Sequence, residues 1–367
     1  MSTALKDRYN ADFFDTFAKA LMNVLRSFNQ SDFKHEFTNS EFTSLELKQR
    51  MSYIANVLKR YLSNDFNLAC NEIIATVDEL KVLGVQENFE YMFLPDFVAT
   101  NGIEQFEIST ETLARTTHFT SSEFAVRPFI LKYPKKMMTT MLEWTTHKDP
   151  KIRRLASEGC RPRLPWAMAL PEFKQNPSPI LPILEKLKND PDELVRRSVA
   201  NNLNDISKDN PATTIAIAKK WFGHNKSTDS LIKHACRGLL KEANKEVLAL
   251  FGISSKHAQI SGFAVKTKTV QMGNHLIFEF TVSNSSPSEQ LFRLEYGIYL
   301  LKKNGSHSKK VFKISERKMS GSSSLPISKK HHFKPITTRV YYSGEHYVAA
   351  IINGQEVDKT SFRLIID

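Results

Sequence analysis

Apolar residues over the first 250 or so positions recur at intervals of three and four. Phe13, Phe14, Phe17, Leu21, Val24 and Leu25 make one stripe, and Leu45, Leu47, Met51, Ile54, Leu58 and Leu62 make another. That period places each set on one face of a helix and predicts antiparallel helices packed core to core. Tyr91, Phe93 and Phe97 then precede a turn at Asn101-Gly102. The helical pattern resumes at Leu113-Ala114, over 124–131 and over 137–144, with breaks at Thr120-Ser121 and Tyr133-Pro134. Ser121 and Ser122 are suited to an N-cap, which places Glu123 in the first turn of a helix. Pro162, Pro165 and Pro171 interrupt the pattern, so residues 161–174 are expected as a long loop carrying Trp166. After about Gly252 the period becomes two. Leu276, Phe278, Phe280 and Val282 alternate with other residues, and turn clusters fall at 284–288, 304–308, 320–324 and Asn353-Gly354. About seven short strands in the tail predict an immunoglobulin-like sandwich.

One unit of the helical part repeats. Asp149-Pro150 returns as Asp190-Pro191, 41 positions on, and Arg153-Arg154 returns as Arg196-Arg197, 43 positions on. Leu155-Ala156 is answered by Val199-Ala200, and Arg237 follows Arg197 by 40 positions in a weaker third copy. A period near 40, with a Pro turn leading into an apolar helix, is that of a HEAT-type two-helix repeat. The expected architecture is therefore α then β: a HEAT-like helical solenoid over 1–253, followed by an immunoglobulin-like β-sandwich over 254–367.

Charge narrows the partners. The formal charge of the chain is +12, which favours a polyanion such as nucleic acid. Residues 256–367 carry 13 Lys and 4 Arg against 8 acids, or +9, so the sandwich is expected to contact nucleic acid. Cys70, Cys160 and Cys236 are odd in number and far apart. That argues against a disulfide framework or a zinc site and fits a reducing cytosol. There is no signal-like N-terminus, and no apolar run approaches the roughly 20 residues of a spanning helix. A soluble cytosolic monomer is expected, with no cofactor, metal or membrane partner.

Candidate chemistry lies within the repeats. Arg154 and Glu158 are four apart, so Arg154 is placed to orient Glu158 and keep it ionised. Arg197, Asn201 and Asp205 fall at i, i+4 and i+8 on one face of the next helix. A carboxylate on a phosphate-binding surface repels the ligand, and stabilising a developing positive charge is one reason to keep it. Phosphate contacts are expected among Arg127, Lys151, Arg153, Arg154, Arg161, Arg163, Arg196, Arg197, Lys233 and Arg237, with some of these serving packing instead. Trp144 and Trp221 are expected in the core, Cys160 as a buried thiol, and His331-His332 on a solvated loop.

The segments EFAVRPFI, SEGCRPRLPW, RRSVANNLNDI, KDNP and HACRGLLK resemble the AlkC-type DNA alkylation-repair glycosylases, relatives of AlkD among the HEAT-like-repeat glycosylases. The resemblance implies hydrolysis of the N-glycosidic bond of N3-alkylated bases, chiefly 3-methyladenine and also 3-methylcytosine, with the lesion left largely in the duplex. It places the lesion-proximal groups at Glu123, Glu158, Trp166 and Asp205. The chemistry agrees. A cationic base is already a good leaving group, so the enzyme needs carboxylates rather than a strong acid. Asp205 suits the sugar and water, Glu123 and Glu158 the base, and Trp166 a cation–π contact. No lysine stands out as a Schiff-base nucleophile, which favours a monofunctional glycosylase. The competing reading is a non-catalytic HEAT-repeat scaffold binding nucleic acid. Such a scaffold has no need of the Glu123, Glu158, Trp166 and Asp205 set.

Overall fold

A computed structural model describes residues 4–254, 256–336 and 339–366. The chain forms two compact units. One comprises the chain up to Asn210 together with Trp221–Ala235, and the other comprises Pro211–Lys220 together with everything from Cys236 onward. Among the described residues no helix is long and apolar enough to cross a membrane.

The first unit is helical throughout, as the three- and four-residue periods require. Helix Ala11–Val24 buries Phe14, Phe17 and Leu21, and helix Leu47–Leu58 buries Met51, Ile54 and Leu58. Aromatic rings fill much of the space between these helices. Phe14 stacks on Phe37 with centroids 4.0 Å apart, and Phe17 meets Phe93 edge-on at 5.1 Å. Helix starts are fixed by side chains accepting otherwise unpaired N–H groups, as Asn10, Asn39 and Asp65 do. Helices Pro150–Glu158, Glu193–Ile206 and Lys226–Ala235 pack one on the next, so they form the row of equivalent helices that the repeat implies.

The atomic repeat runs at 43 residues. Asp149 caps Pro150–Glu158 by accepting from the Lys151 N–H, and Asp192, 43 positions on, caps Glu193–Ile206 through the Leu194 and Val195 N–H groups. Asp149 thus corresponds to Asp192 rather than to Asp190. Arg153 and Arg196 repeat the same bonds. The Arg153 Nη1 donates to the carbonyls of His147 and Lys148, six and five residues back, and the Arg196 Nη1 donates to those of Asp190 and Pro191 at the same offsets. The first arginine of each pair therefore ties down the turn that precedes its own helix.

The second unit contains the sandwich, with strands β1 (Ala258–Val265), β2 (Thr269–Gln271), β3 (His275–Asn284), β4 (Gln290–Leu301), β5 (His307–Met319), β6 (Ser324–His332), β7 (Gly344–Ile352) and β8 (Gln355–Ile365). One sheet has the order β1-β3-β6 and the other β2-β8-β7-β4-β5, with β2 parallel to β8 and the other neighbours antiparallel. Phe278, Phe280 and Val282 of β3 meet Phe292, Leu294 and Ile298 of β4 in one core. β2 is only three residues long, too short for alternation to register, which explains an expectation of seven strands rather than eight among the described residues. Helices Arg237–Lys241 and Lys245–Leu250 also belong to this unit. The β7–β8 turn rests on them, since a Cβ at Gly354 would lie 2.6 Å from that of Ala243. Compactness thus joins helical residues before Gly252 to the sandwich, although the sequence period changes only there.

His331 and His332 end β6 rather than sitting on a solvated loop. Alternation directs them to opposite faces, and His331 is half-buried with its Nδ1 2.9 Å from the Tyr296 hydroxyl. Burial, reinforced by Arg339, His332, Lys329 and His275, pushes the His331 pKa from 6.5 down to about 4. The unfolded chain binds this proton near pH 6.5 and the folded chain only near 4. The associated stability is present above pH 6.5 and is lost as pH falls through 4, up to about 3 kcal/mol. His346, also buried and shifted down, acts in the same direction. Thermal melting of the chain at pH 7 and pH 4.5 checks this, and His331→Gln should show a smaller drop than the parent.

Candidate active site

Three carboxylates from three segments meet in one ladder of alternating charge. Glu123 lies in the turn before helix Val126–Lys132, where Ser121 donates to its Oε2 at 2.8 Å. The helix starts at Val126, so Glu123 precedes the first turn instead of occupying it. Arg154 donates to the same Oε2 at 3.0 Å and lies 3.8 Å from Glu158 Oε1. Arg154 therefore orients Glu123 more directly than the Glu158 expected from its i,i+4 spacing. Glu158 is held instead by Arg161, whose Nη1 donates to Oε1 at 2.6 Å, and by Ser198, whose hydroxyl donates to Oε2 at 2.6 Å. The Arg161 Nε then donates to Asp205 Oδ2 at 2.9 Å, and Lys208 donates to Asp205 Oδ1 at 3.1 Å. The order Glu123, Arg154, Glu158, Arg161, Asp205, Lys208 is negative and positive in strict alternation.

Burial makes the middle of this ladder matter most. Glu158, Arg161 and Asp205 are 5 %, 7 % and 1 % exposed, where unpaired charges would be costly. Burial alone works against the Arg161 charge, but Glu158 and Asp205 outweigh it and leave its pKa above the ordinary arginine value. Arg161 is thus a permanent cation shared by two acids. The outer end differs, because the Lys208 side chain is half exposed. Its bond to Asp205 is the most easily screened link.

Trp166 sits beyond the ladder on a loop with two anchors. Its side chain is largely exposed, and its φ of 65° is a left-handed conformation that costs a non-glycine residue about 1 kcal/mol or more. Lys48 reaches across from helix Leu47–Leu58 and donates to the Trp166 carbonyl at 2.8 Å. Arg127 fixes the same loop from inside. Its Nε donates to the Met168 carbonyl at 2.6 Å, and its Nη1 donates to the carbonyls of Gly159 and Arg161 at 2.8 and 2.9 Å. The structure brings Glu123, Glu158 and Asp205 together through shared arginines and places Trp166 two residues before an Arg127 anchor point.

Comparison with known proteins places the chain in a family. The profile of the DNA alkylation repair enzyme family matches residues 99–239, and that of the C-terminal Ig-like domain of the uncharacterised protein YhaZ matches residues 259–366. Uncharacterized protein YhaZ of Bacillus subtilis (strain 168) is 37% identical over 361 residues, covering 98% of this chain and 99% of that protein. The structure of Pseudomonas fluorescens alkylpurine DNA glycosylase AlkC, bound to DNA containing an abasic site analog, matches at a TM-score of 0.93 and 31% identity. That match covers 99% of this chain and 100% of the other. The chain belongs to the DNA alkylation repair enzyme family. Its AlkC-like solenoid and Ig-like domain are those expected from sequence.

In this AlkC-like chain, most cations expected on phosphates already have protein acceptors. Arg127 is fully buried and cannot reach a phosphate. Arg153 makes a two-bond pair with Asp190, and Arg196 is spent on backbone carbonyls. Arg161 is inside the ladder, Arg163 pairs with Asp209 through two bonds, and Lys151 binds Glu87 and the His118 carbonyl. Lys233 and Arg237 are half-buried. Arg197 is exposed and donates to no acceptor among the described residues. Among the other expectations, Trp221 is buried but Trp144 lies on a surface groove with Arg115 and His147. Cys160 is buried, and burial pushes its pKa up to about 12, so it is inert as a nucleophile.

Sequence reading missed Lys48, Ser198 and Lys208. Lys208 stands three residues after Asp205, a spacing that could have flagged it. Ser198 and Lys48 act across 40 and 118 residues, a distance at which no local pattern speaks. The burial of Arg127 yields a direct expectation. Removing its guanidinium leaves three inward-facing carbonyls without donors, at about 1–3 kcal/mol for a buried group left unpaired. Arg127→Met should lower unfolding free energy by at least about 3 kcal/mol in denaturant titration. A loss below 1 kcal/mol would show that the loop finds other donors.

Proposed function

We propose that this chain is a monofunctional DNA glycosylase that removes cationic N3-alkylated bases, chiefly 3-methyladenine and also 3-methylcytosine, from duplex DNA. The observation that carries the reading is the alternating ladder of three carboxylates inside the repeats of a DNA alkylation repair family member. An N3-alkylated base carries positive charge before the bond breaks, and that charge passes to the sugar as an oxocarbenium-like state forms. Carboxylates already positioned by arginines meet the charge without reorganising. No general acid is needed, and the inert Cys160 supplies no nucleophile.

The ladder supports the following division of roles. Asp205 has one oxygen fixed by buried Arg161 and the other held, among the described residues, by half-exposed Lys208. When Lys208 swings off, that second oxygen becomes the acceptor for the developing charge on C1′ and for the attacking water. Glu158 uses both oxygens internally, so it acts through Arg161 by setting the field and the position of Asp205. Glu123 donates its charge to the base side, with Trp166 offering a π face to the cation. Exchanging a lysine for a substrate cation at a preformed carboxylate does not require a deep pocket for an extruded base. That agrees with a lesion left largely in the helix. Residues 254–367, with their surplus of positive charge, are taken as a second DNA-contacting domain.

Asp205→Asn keeps the shape and removes the charge. The single-turnover rate of base release from a duplex with one 3-methyladenine should fall about 10²-fold, roughly 3 kcal/mol, the scale of one preorganised electrostatic group. Affinity for the duplex should stay level or tighten slightly, because a phosphate-repelling charge is gone. A rate within threefold of the parent removes Asp205 from the mechanism. The product strand should stay unbroken until treated with alkali, and breakage by the protein alone would contradict a monofunctional enzyme.

A further inference from the structure

The 43-residue repeat places chemically unequal residues at equivalent positions. Arg154 corresponds to Arg197, and Glu158, four residues after the first, corresponds to Asn201, four after the second. In the first copy the arginine is neutralised by Glu123 and Glu158. In the second copy an amide stands where the acid stood. Asn201 turns to His234 of the neighbouring helix, with its Oδ1 3.0 Å from the imidazole Nε2. Arg197 is left exposed, with no carboxylate within salt-bridge distance among the described residues. It lines an open groove of about 480 Å³ between helices Glu193–Ile206 and Lys226–Ala235. Ser227, Ser230 and His234 line the opposite wall, Arg196 flanks Arg197, and Glu193 is the acid at the rim.

We propose that this groove is a binding site for one phosphodiester of the DNA backbone, with Arg197 as its charged ligand and the Ser230 hydroxyl as a neutral donor; the Ser227 hydroxyl is already donated to Asn225 Oδ1 at 2.7 Å. The inference rests on the DNA reading above and adds a position on the duplex. A guanidinium fork and hydroxyls suit phosphate oxygens, whereas a cationic base would be repelled. Asp205 follows Arg197 by eight residues on the same helix, a rise of about 12 Å. At a rise of roughly 3.4 Å per nucleotide along one strand, the bound phosphate lies within three or four nucleotides of the lesion. The repeat thus supplies one arginine to the carboxylates and its counterpart to the backbone, and the spacing between them sets the register.

The test uses the full chain and duplexes carrying an uncleavable abasic analogue. A neutral methylphosphonate replaces one phosphate at a time over four nucleotides on each side of the lesion, on both strands. Wild type should lose affinity at several positions. Arg197→Ala should lower the slope of log K against log salt by about 0.9 and be insensitive to neutralisation at one position only, where the two changes are not additive. Arg197→Lys should keep most of the slope, because it keeps the charge. Additivity at every position, or an unchanged salt slope, overturns the site. The outcome separates the two readings. A chain that binds no duplex overturns both, whereas one that releases base but shows full additivity overturns the phosphate site alone.

Discussion

Arg161 is shared between Glu158 and Asp205, and the rest of the site depends on that sharing. Two carboxylates from successive repeats could not remain ionised side by side out of water without a cation between them. Arg161 supplies it with two directed bonds. Its own position follows from its backbone, because its carbonyl is one of the three that Arg127 clamps. Arg127 therefore holds the loop, the loop holds Arg161, and Arg161 holds the acids. Each step is a buried guanidinium bonded to nearby acceptors, which resists rearrangement more than exposed lysines would.

The basic character of the chain has more than one purpose. Arg153 and Arg196 brace the turns ahead of their helices, Arg154 and Arg161 balance carboxylates, and Arg127 is interior scaffolding. A positive total charge therefore overstates the number of cations available to DNA. It also changes the argument for the acids. Asp205 and Glu158 do not face phosphate unprotected, since each is paired before any ligand arrives. The significance of Asp205 lies in being paired by groups of unequal strength, buried Arg161 on one side and half-exposed Lys208 on the other. An incoming cation can replace the weaker partner while the stronger one keeps the carboxylate in place.

Much of this was legible in the sequence because period and motif are local. The helical stripes, the sandwich alternation and the paired arginines each declare themselves within a few residues. The register of the repeat was two residues off between Asp149 and its counterpart, because Asp190-Pro191 resembles the cap that Asp192 provides. The site was legible as a set of residue types and not as a set of bonds. Arg154 and Glu158 are four apart, yet Glu158 is held by Arg161, three residues on, and by Ser198 from the next helix. Arg127 is the lone charge in the apolar run 124–131, but nothing local names the distant carbonyls of Gly159, Arg161 and Met168 that it clamps. The left-handed conformation of Trp166 is likewise fixed by Lys48, 118 residues away.

In the proposed function, paired carboxylates await a positively charged leaving base. The most direct measurement is the profile of free bases that the purified chain releases from methylated duplex DNA, separated by chromatography. The account predicts 3-methyladenine in the soluble fraction, with 3-methylcytosine following from suitably treated DNA. The neutral lesion O6-methylguanine should stay in the strand, because its departure gains nothing from a negative field. Release of the neutral base at a comparable rate, or no release of 3-methyladenine at all, would contradict it.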